Sequence, residues 1–79
     1  MPRAYTIRSE ALCQEIVEQG RMGACSAMTE DSLVTSDEDL VRRGRALGAD
    51  IVAGWWSPDD ETLEGTTQWE DGIFHYCKH

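Results

Sequence analysis

The first clear pattern along the chain is an alternation. In Arg3-Ala4-Tyr5-Thr6-Ile7-Arg8, Tyr5 and Ile7 stand between polar neighbours, the period of a half-buried strand. The period then lengthens. Leu12, Cys13, Ile16 and Val17 recur at helical spacing between Glu10 and Gln19, which predicts a helix capped by Ser9, with Glu10 in its first turn and Gly20 as its stop. From Met22 to Thr29 small, mildly apolar residues alternate again, Thr29-Glu30-Asp31-Ser32 reads as a turn, and Leu33-Val34-Thr35 as a short strand returning through it. Ser36-Asp37-Glu38-Asp39 predicts a second helix, with Ser36 as the cap, Asp39 reaching back to it, and acids on the positive end of the dipole. Leu40, Val41, Gly44 and Leu47 form its buried stripe, Arg42, Arg43 and Arg45 lie toward its end, and Gly48 closes it.

Asp50 to Ser57 is apolar on both faces, with Ile51, Ala53 and Trp55 on one side and Val52, Gly54 and Trp56 on the other, as expected for a central strand. Ser57-Pro58-Asp59-Asp60 is a turn, and residues 61–65 form a loop or one helical turn. A hairpin of Thr66 to Trp69 and Gly72 to Lys78 follows, turning at Glu70-Asp71 with Gly72 supplying a positive φ. The order strand, helix, two strands, helix, strand, hairpin predicts the α+β class: a mainly antiparallel sheet of about four to six strands with two helices packed on one face. At 79 residues the chain has room for one compact domain, residues 1–79. So small a core is often supplemented by a partner subunit, and a homodimer is a reasonable expectation.

Charge changes this picture more than composition does. The net charge is −8, and it is unevenly placed: residues 1–45 hold eight acids against six bases, residues 46–79 seven acids against Lys78 alone. Asp59, Asp60, Glu61, Glu64, Glu70 and Asp71 are therefore candidate contacts for a basic protein partner, since a one-signed surface repels phosphates and steers toward Lys/Arg-rich surfaces. Direct nucleic-acid binding is not expected, and the same acids also serve plain solubility. Because adjacent strand residues point to opposite faces, the helices can cover only one of Trp55 and Trp56. Either the other lies open beside Trp69, making Trp56 or Trp69 an interface anchor, or the terminal hairpin or a second copy covers that face.

Candidate chemistry is sparse. His75, Cys77 and His79 alternate on a strand and carry zinc-binding side chains, which offers an alternative function as a small zinc-binding regulatory protein. The ligands lack the paired spacing of structural zinc sites, so neither a metal nor any other cofactor is expected. No nucleophile stands in a diagnostic context, and the seven glycines match no phosphate-binding loop, so no catalytic residues are assigned and the chain is not expected to be an enzyme. Cys13, Cys25 and Cys77 read as thiols acting as small hydrophobes. The longest apolar run, Ile51 to Trp56, falls far short of the ~20 residues a membrane span needs. With no secretory or transit pattern at the N-terminus, a cytoplasmic location is expected.

Read whole, with stretches such as Arg42-Arg43-Gly44-Arg45-Ala46-Leu47-Gly48-Ala49-Asp50 that suit a high-GC bacterial source, the chain resembles the small anti-CRISPR proteins of phages and prophages. The likeness leans to inhibitors of type I systems, type I-C in particular, and spans the whole chain without resting on a motif. It implies a compact α+β domain without catalytic residues. It further implies a stoichiometric inhibitor, acting in the host bacterial cytoplasm, that occupies basic residues of a CRISPR effector complex and blocks target DNA.

Overall fold

A computed structural model of the chain describes residues 3–58, 66–69 and 72–76. Six strands form one antiparallel sheet: β1 (Arg3–Arg8), β2 (Cys25–Met28), β3 (Ser32–Thr35), β4 (Asp50–Ser57), β5 (Thr66–Trp69) and β6 (Gly72–Tyr76), in the order β2-β3-β1-β4-β6-β5. Helices α1 (Glu10–Glu18) and α2 (Glu38–Ala46) lie on one face of it. The α+β architecture anticipated from the pattern is thus the one observed, with six strands and two helices. No helix among the described residues is long and apolar enough to cross a membrane.

Both helices share a face for a topological reason. α1 links β1 to β2 and α2 links β3 to β4, each passing over one intervening strand, in opposite directions and from oppositely running strands. The two crossovers are related by a half turn about the sheet normal. Crossovers of one hand, which strand twist strongly favours, therefore place both helices on the same side. There Ile7 from β1 and Leu33 from β3 meet Leu12, Cys13 and Ile16 of α1 and Leu40 and Val41 of α2, all of them buried. Each large aliphatic side chain so buried contributes about 1.5–3 kcal/mol relative to exposure.

The helix ends follow their sequences with small shifts. Ser9 Oγ accepts from the Leu12 N–H at 3.1 Å, and α1 is followed by Gly20 at φ +66°. Val17, expected on the buried face, is instead half exposed, because α1 turns only Leu12, Cys13 and Ile16 fully inward. In α2 the cap is Asp37 rather than Ser36: its Oδ1 accepts from Asp39 N at 2.8 Å and Leu40 N at 3.3 Å. Asp39 does not reach back but pairs with Arg42. Leu47 lies past the last helical turn, at the C-cap, and is 38% exposed, so it drops out of the predicted buried stripe.

Only Cys25–Met28 of the predicted strand over residues 22–29 pairs; Met22–Ala24 forms a single 3-10 turn. Thr35, wholly buried, fastens that turn to the next helix: its hydroxyl donates to the Ala24 carbonyl at 2.7 Å and accepts from the Asp37 N–H at 3.0 Å. Between β2 and β3 the register slips at Cys25/Ala27, a bulge of the kind that increases local twist.

The sheet curls, and the curl creates a second core. On the face away from the helices Ala4, Val34 and Phe74 are completely buried, with Ala27, Trp56, Trp69 and Tyr76 against them. Two glycines make room. A Cβ on Gly54 would lie 2.6 Å from Phe74 Cζ and run into the His75 carbonyl, and one on Gly72 would lie 2.8 Å from the Ser57 carbonyl oxygen and collide with the Trp56 indole. Gly72 thus answers to a close approach, and the turn it was expected to shape, Glu70-Asp71, lies outside the described residues.

Candidate partner-binding surface

Antiparallel register decides which turns share an end of the molecule. Arg8 stands opposite Ser32 on one side and Asp50 on the other, so the β1–α1 junction, the β2–β3 turn and the start of β4 come together. A concavity of about 340 Å³ there is bounded by Arg8, Ser9, Glu10, Asp31 and Asp50. Beside it a groove of about 420 Å³ runs between α1 and the β2–β3 turn, with Glu10, Glu18 and Glu30 along it and the exposed Val17 in its wall. Glu10, Asp31 and Asp50 thus stand about Arg8, Glu18 and Glu30 lie along the adjoining groove, and all five carboxylates are exposed. Arg8 forms no ion pair with them among the described residues.

Two of the α2 arginines are paired within the fold. Arg43 does not bond within its helix but reaches α1, its Nε and one terminal nitrogen donating to the two oxygens of Glu15 at 3.0 and 2.6 Å. This planar, two-bond pairing holds the Glu15 carboxyl below its ordinary range, chiefly through the hydrogen bonds, and raises Arg43 in turn. With Arg42 on Asp39 and Arg43 on Glu15, two of the three arginines are already matched to carboxylates. The basic cluster of α2 is thus in good part neutralised within the fold.

Trp56 and Trp69 are both placed on the face away from the helices, as half-buried members of the second core. Of the two outcomes open for that face, the sequence of the terminal hairpin supplies the cover: Phe74 and Tyr76 of β6 meet edge to face at 5.2 Å, and Trp69 of β5 packs with them. Trp55 points the other way and stacks on His75, 4.7 Å between centroids and 4° from parallel. His75 is 6% exposed, and Cys77 and His79 lie outside the described residues. Asp59, Asp60, Glu61, Glu64, Glu70 and Asp71 also lie outside them.

Cys13 and Cys25 belong to the helix-side core. Burial pushes both thiols up, reinforced by the Asp31 charge for Cys13 and by Cys13 and Asp37 for Cys25. Both therefore stay as neutral thiols at neutral pH and are poor nucleophiles. No group of three or more His, Cys, Asp or Glu suited to a metal occurs among the described residues.

The gathering of Glu10, Glu18, Glu30, Asp31 and Asp50 was missed by sequence reasoning because these residues come from three separate stretches. The available signal was the turn at Thr29-Glu30-Asp31-Ser32. Had its strand been paired with β1, the turn would have been set beside Glu10. Comparison of the chain with protein-family models, with curated proteins and with solved structures finds no match.

Proposed function

We propose that this protein is a stoichiometric inhibitor that uses its acidic surface to occupy a basic, nucleic-acid-binding region of a partner, a type I CRISPR effector complex, and so blocks target DNA. The supporting observation is the end of the sheet where Glu10, Asp31 and Asp50 bound one concavity with Arg8, and Glu10, Glu18 and Glu30 line the groove beside it. Carboxylates presented from α1, the β2–β3 turn and the start of β4 offer a Lys/Arg-lined channel the same sign of charge as a phosphate backbone. They accelerate encounter, and the attraction weakens with salt. The acids at 59–61, 64 and 70–71 enlarge the negative surplus in the same chain.

The test is competition for target duplex by a purified type I-C effector complex, at ~50 and ~200 mM salt, across which phosphate-like contacts weaken strongly. Wild-type protein is expected to reduce DNA binding at low salt and less at high salt. The triple reversals Glu10→Lys/Glu30→Lys/Asp31→Lys and Asp59→Lys/Asp60→Lys/Glu61→Lys identify the acids that bind. Undiminished inhibition by both triple variants would reject the acidic-surface mechanism, and no inhibition by folded wild-type protein would reject this partner.

A further inference from the structure

The groove between α1 and the β2–β3 turn combines charge with exposed apolar surface. Glu10, Cys13, Gln14, Val17 and Glu18 stand at i, i+3, i+4, i+7 and i+8 of α1, a single stripe of the helix, and this stripe borders the groove of about 420 Å³ together with Thr29 and Glu30 of the turn. At a rise of 1.5 Å per residue, Glu10 and Glu18 mark two points about 12 Å apart along the helix axis. No Lys or Arg lines the groove among the described residues.

Between its two helix acids the stripe is uncharged. Val17 is 52% exposed, and the buried Cys13 carries a thiol that burial and the Asp31 charge push up, so it adds no charge at neutral pH. The acids themselves are left without counterions. Glu10 accepts from the neutral Gln14 amide at 3.2 Å, and neither Glu18 nor Glu30 forms an ion pair among the described residues. Glu15 of the same helix, outside the stripe, is by contrast neutralised by Arg43. The fold thus matches the carboxylate that ties α1 to α2 and leaves the three along the groove unmatched.

Resting on the reading of this end as a partner-binding surface, we infer that the groove is the docking site for a short, extended segment of a partner protein, with an aliphatic side chain between two basic ones. The pattern is Lys or Arg at i and i+4 and the aliphatic residue at i+2. A strand carries these three side chains on one face, with the outer two about 13 Å apart, which matches the span from Glu10 to Glu18. In a helix the same i, i+4 pair would stand only about 6 Å apart. The basic residues meet Glu10 and Glu18, Glu30 adds its charge from the turn, and the aliphatic side chain covers Val17. Charge governs encounter and excludes acidic segments, while the contact with Val17 distinguishes this segment from any other basic one.

The experiment titrates the full chain with the blocked peptide Lys-Ser-Val-Ser-Lys, with Lys-Ser-Ser-Ser-Lys and with Glu-Ser-Val-Ser-Glu, following backbone amide signals in a proton–nitrogen correlation spectrum. Saturable shifts at Val17, Glu18 and Glu30 are expected with the first peptide at millimolar concentration, about tenfold weaker binding of the second, which lacks the apolar contact, and none of the third. Val17→Ser should abolish the preference for the valine peptide; the residue is exposed, so this variant keeps the fold, and its remaining signals verify that. Equal binding of the valine and serine peptides, an undiminished preference in folded Val17→Ser, or no saturation at millimolar valine peptide would each overturn the assignment. Peptide binding by a protein that fails to inhibit the effector complex would uphold the docking site and reject that partner. Inhibition of the complex without peptide binding would reject the docking site and leave the partner standing.

Discussion

Replacing Phe74 by alanine tests whether the face away from the helices is a core in its own right. Phe74 is completely buried, with Ala4 and Val34, under Trp56, Trp69 and Tyr76. Its ring also fills the space that Gly54 leaves open. Truncation removes the transfer free energy of a benzyl group and leaves a cavity that the twisted sheet cannot collapse, a combined cost of about 3–5 kcal/mol. A chain of this size has about 4–12 kcal/mol in total. The variant should therefore stand at the edge of unfolding. With a urea m-value of about 1 kcal/mol/M, at the low end of the range for small domains, the midpoint should fall by about 3 M or the native baseline vanish. Leu40→Ala, in the helix-side core, should cost a comparable 2–5 kcal/mol. Val52→Ala, exposed on the same face as Phe74, should change little. Unfolding followed by both tryptophan fluorescence and far-ultraviolet circular dichroism reads all three. A Phe74→Ala midpoint within about 0.5 M of wild type would refute a two-sided core and return the sheet to one packed on a single face.

Thr35→Val keeps the shape of a wholly buried side chain but strips the Ala24 carbonyl and the Asp37 N–H of their partner, at a cost of about 1–3 kcal/mol in chemical denaturation; a neutral result would mean that these groups find other partners. Glu15 titrates lower in the folded chain than unfolded, so its pairing with Arg43 stabilises the fold above the ordinary glutamate range and is lost as pH falls through the lowered folded value. The difference in melting temperature between wild type and Glu15→Gln should accordingly shrink on acidification below about pH 4.3, and a difference independent of pH would rule out the ion pair as its source. Gly54→Ala should destabilise more than any exposed substitution, because its methyl meets backbone that cannot turn away; a melting temperature equal to wild type would show that β4 and β6 can separate.

The residues also show why some of this was legible in the chain and some was not. β1, β4 and both helices announce themselves locally, through the alternation around Tyr5 and Ile7, the two-faced run from Ile51 to Trp56, and caps at Ser9 and Asp37 within a residue of where spacing puts them. Local signals extend as far as one element. Whether Trp56 is an exposed anchor or a core residue depends on how far β6 and β5 bend over β4, and that bend is permitted by the absence of side chains at Gly54 and Gly72. A glycine that admits a neighbouring strand and one that shapes a turn look alike in sequence. The acidic end is hidden for a related reason. Glu10, Asp31 and Asp50 are separated by about twenty residues each, and only the pairing of Arg8 with both Ser32 and Asp50 makes them neighbours. Counting charge along the chain located the surplus in its second half. Register adds a second concentration built mainly from the first half, on α1, the β2–β3 turn and the start of β4. The two concentrations need not act together, and the pair of triple charge reversals separates them: an effect of the Glu10/Glu30/Asp31 set alone would place the partner across the α1 and β2–β3 end, over residues that the charge count by itself had passed by.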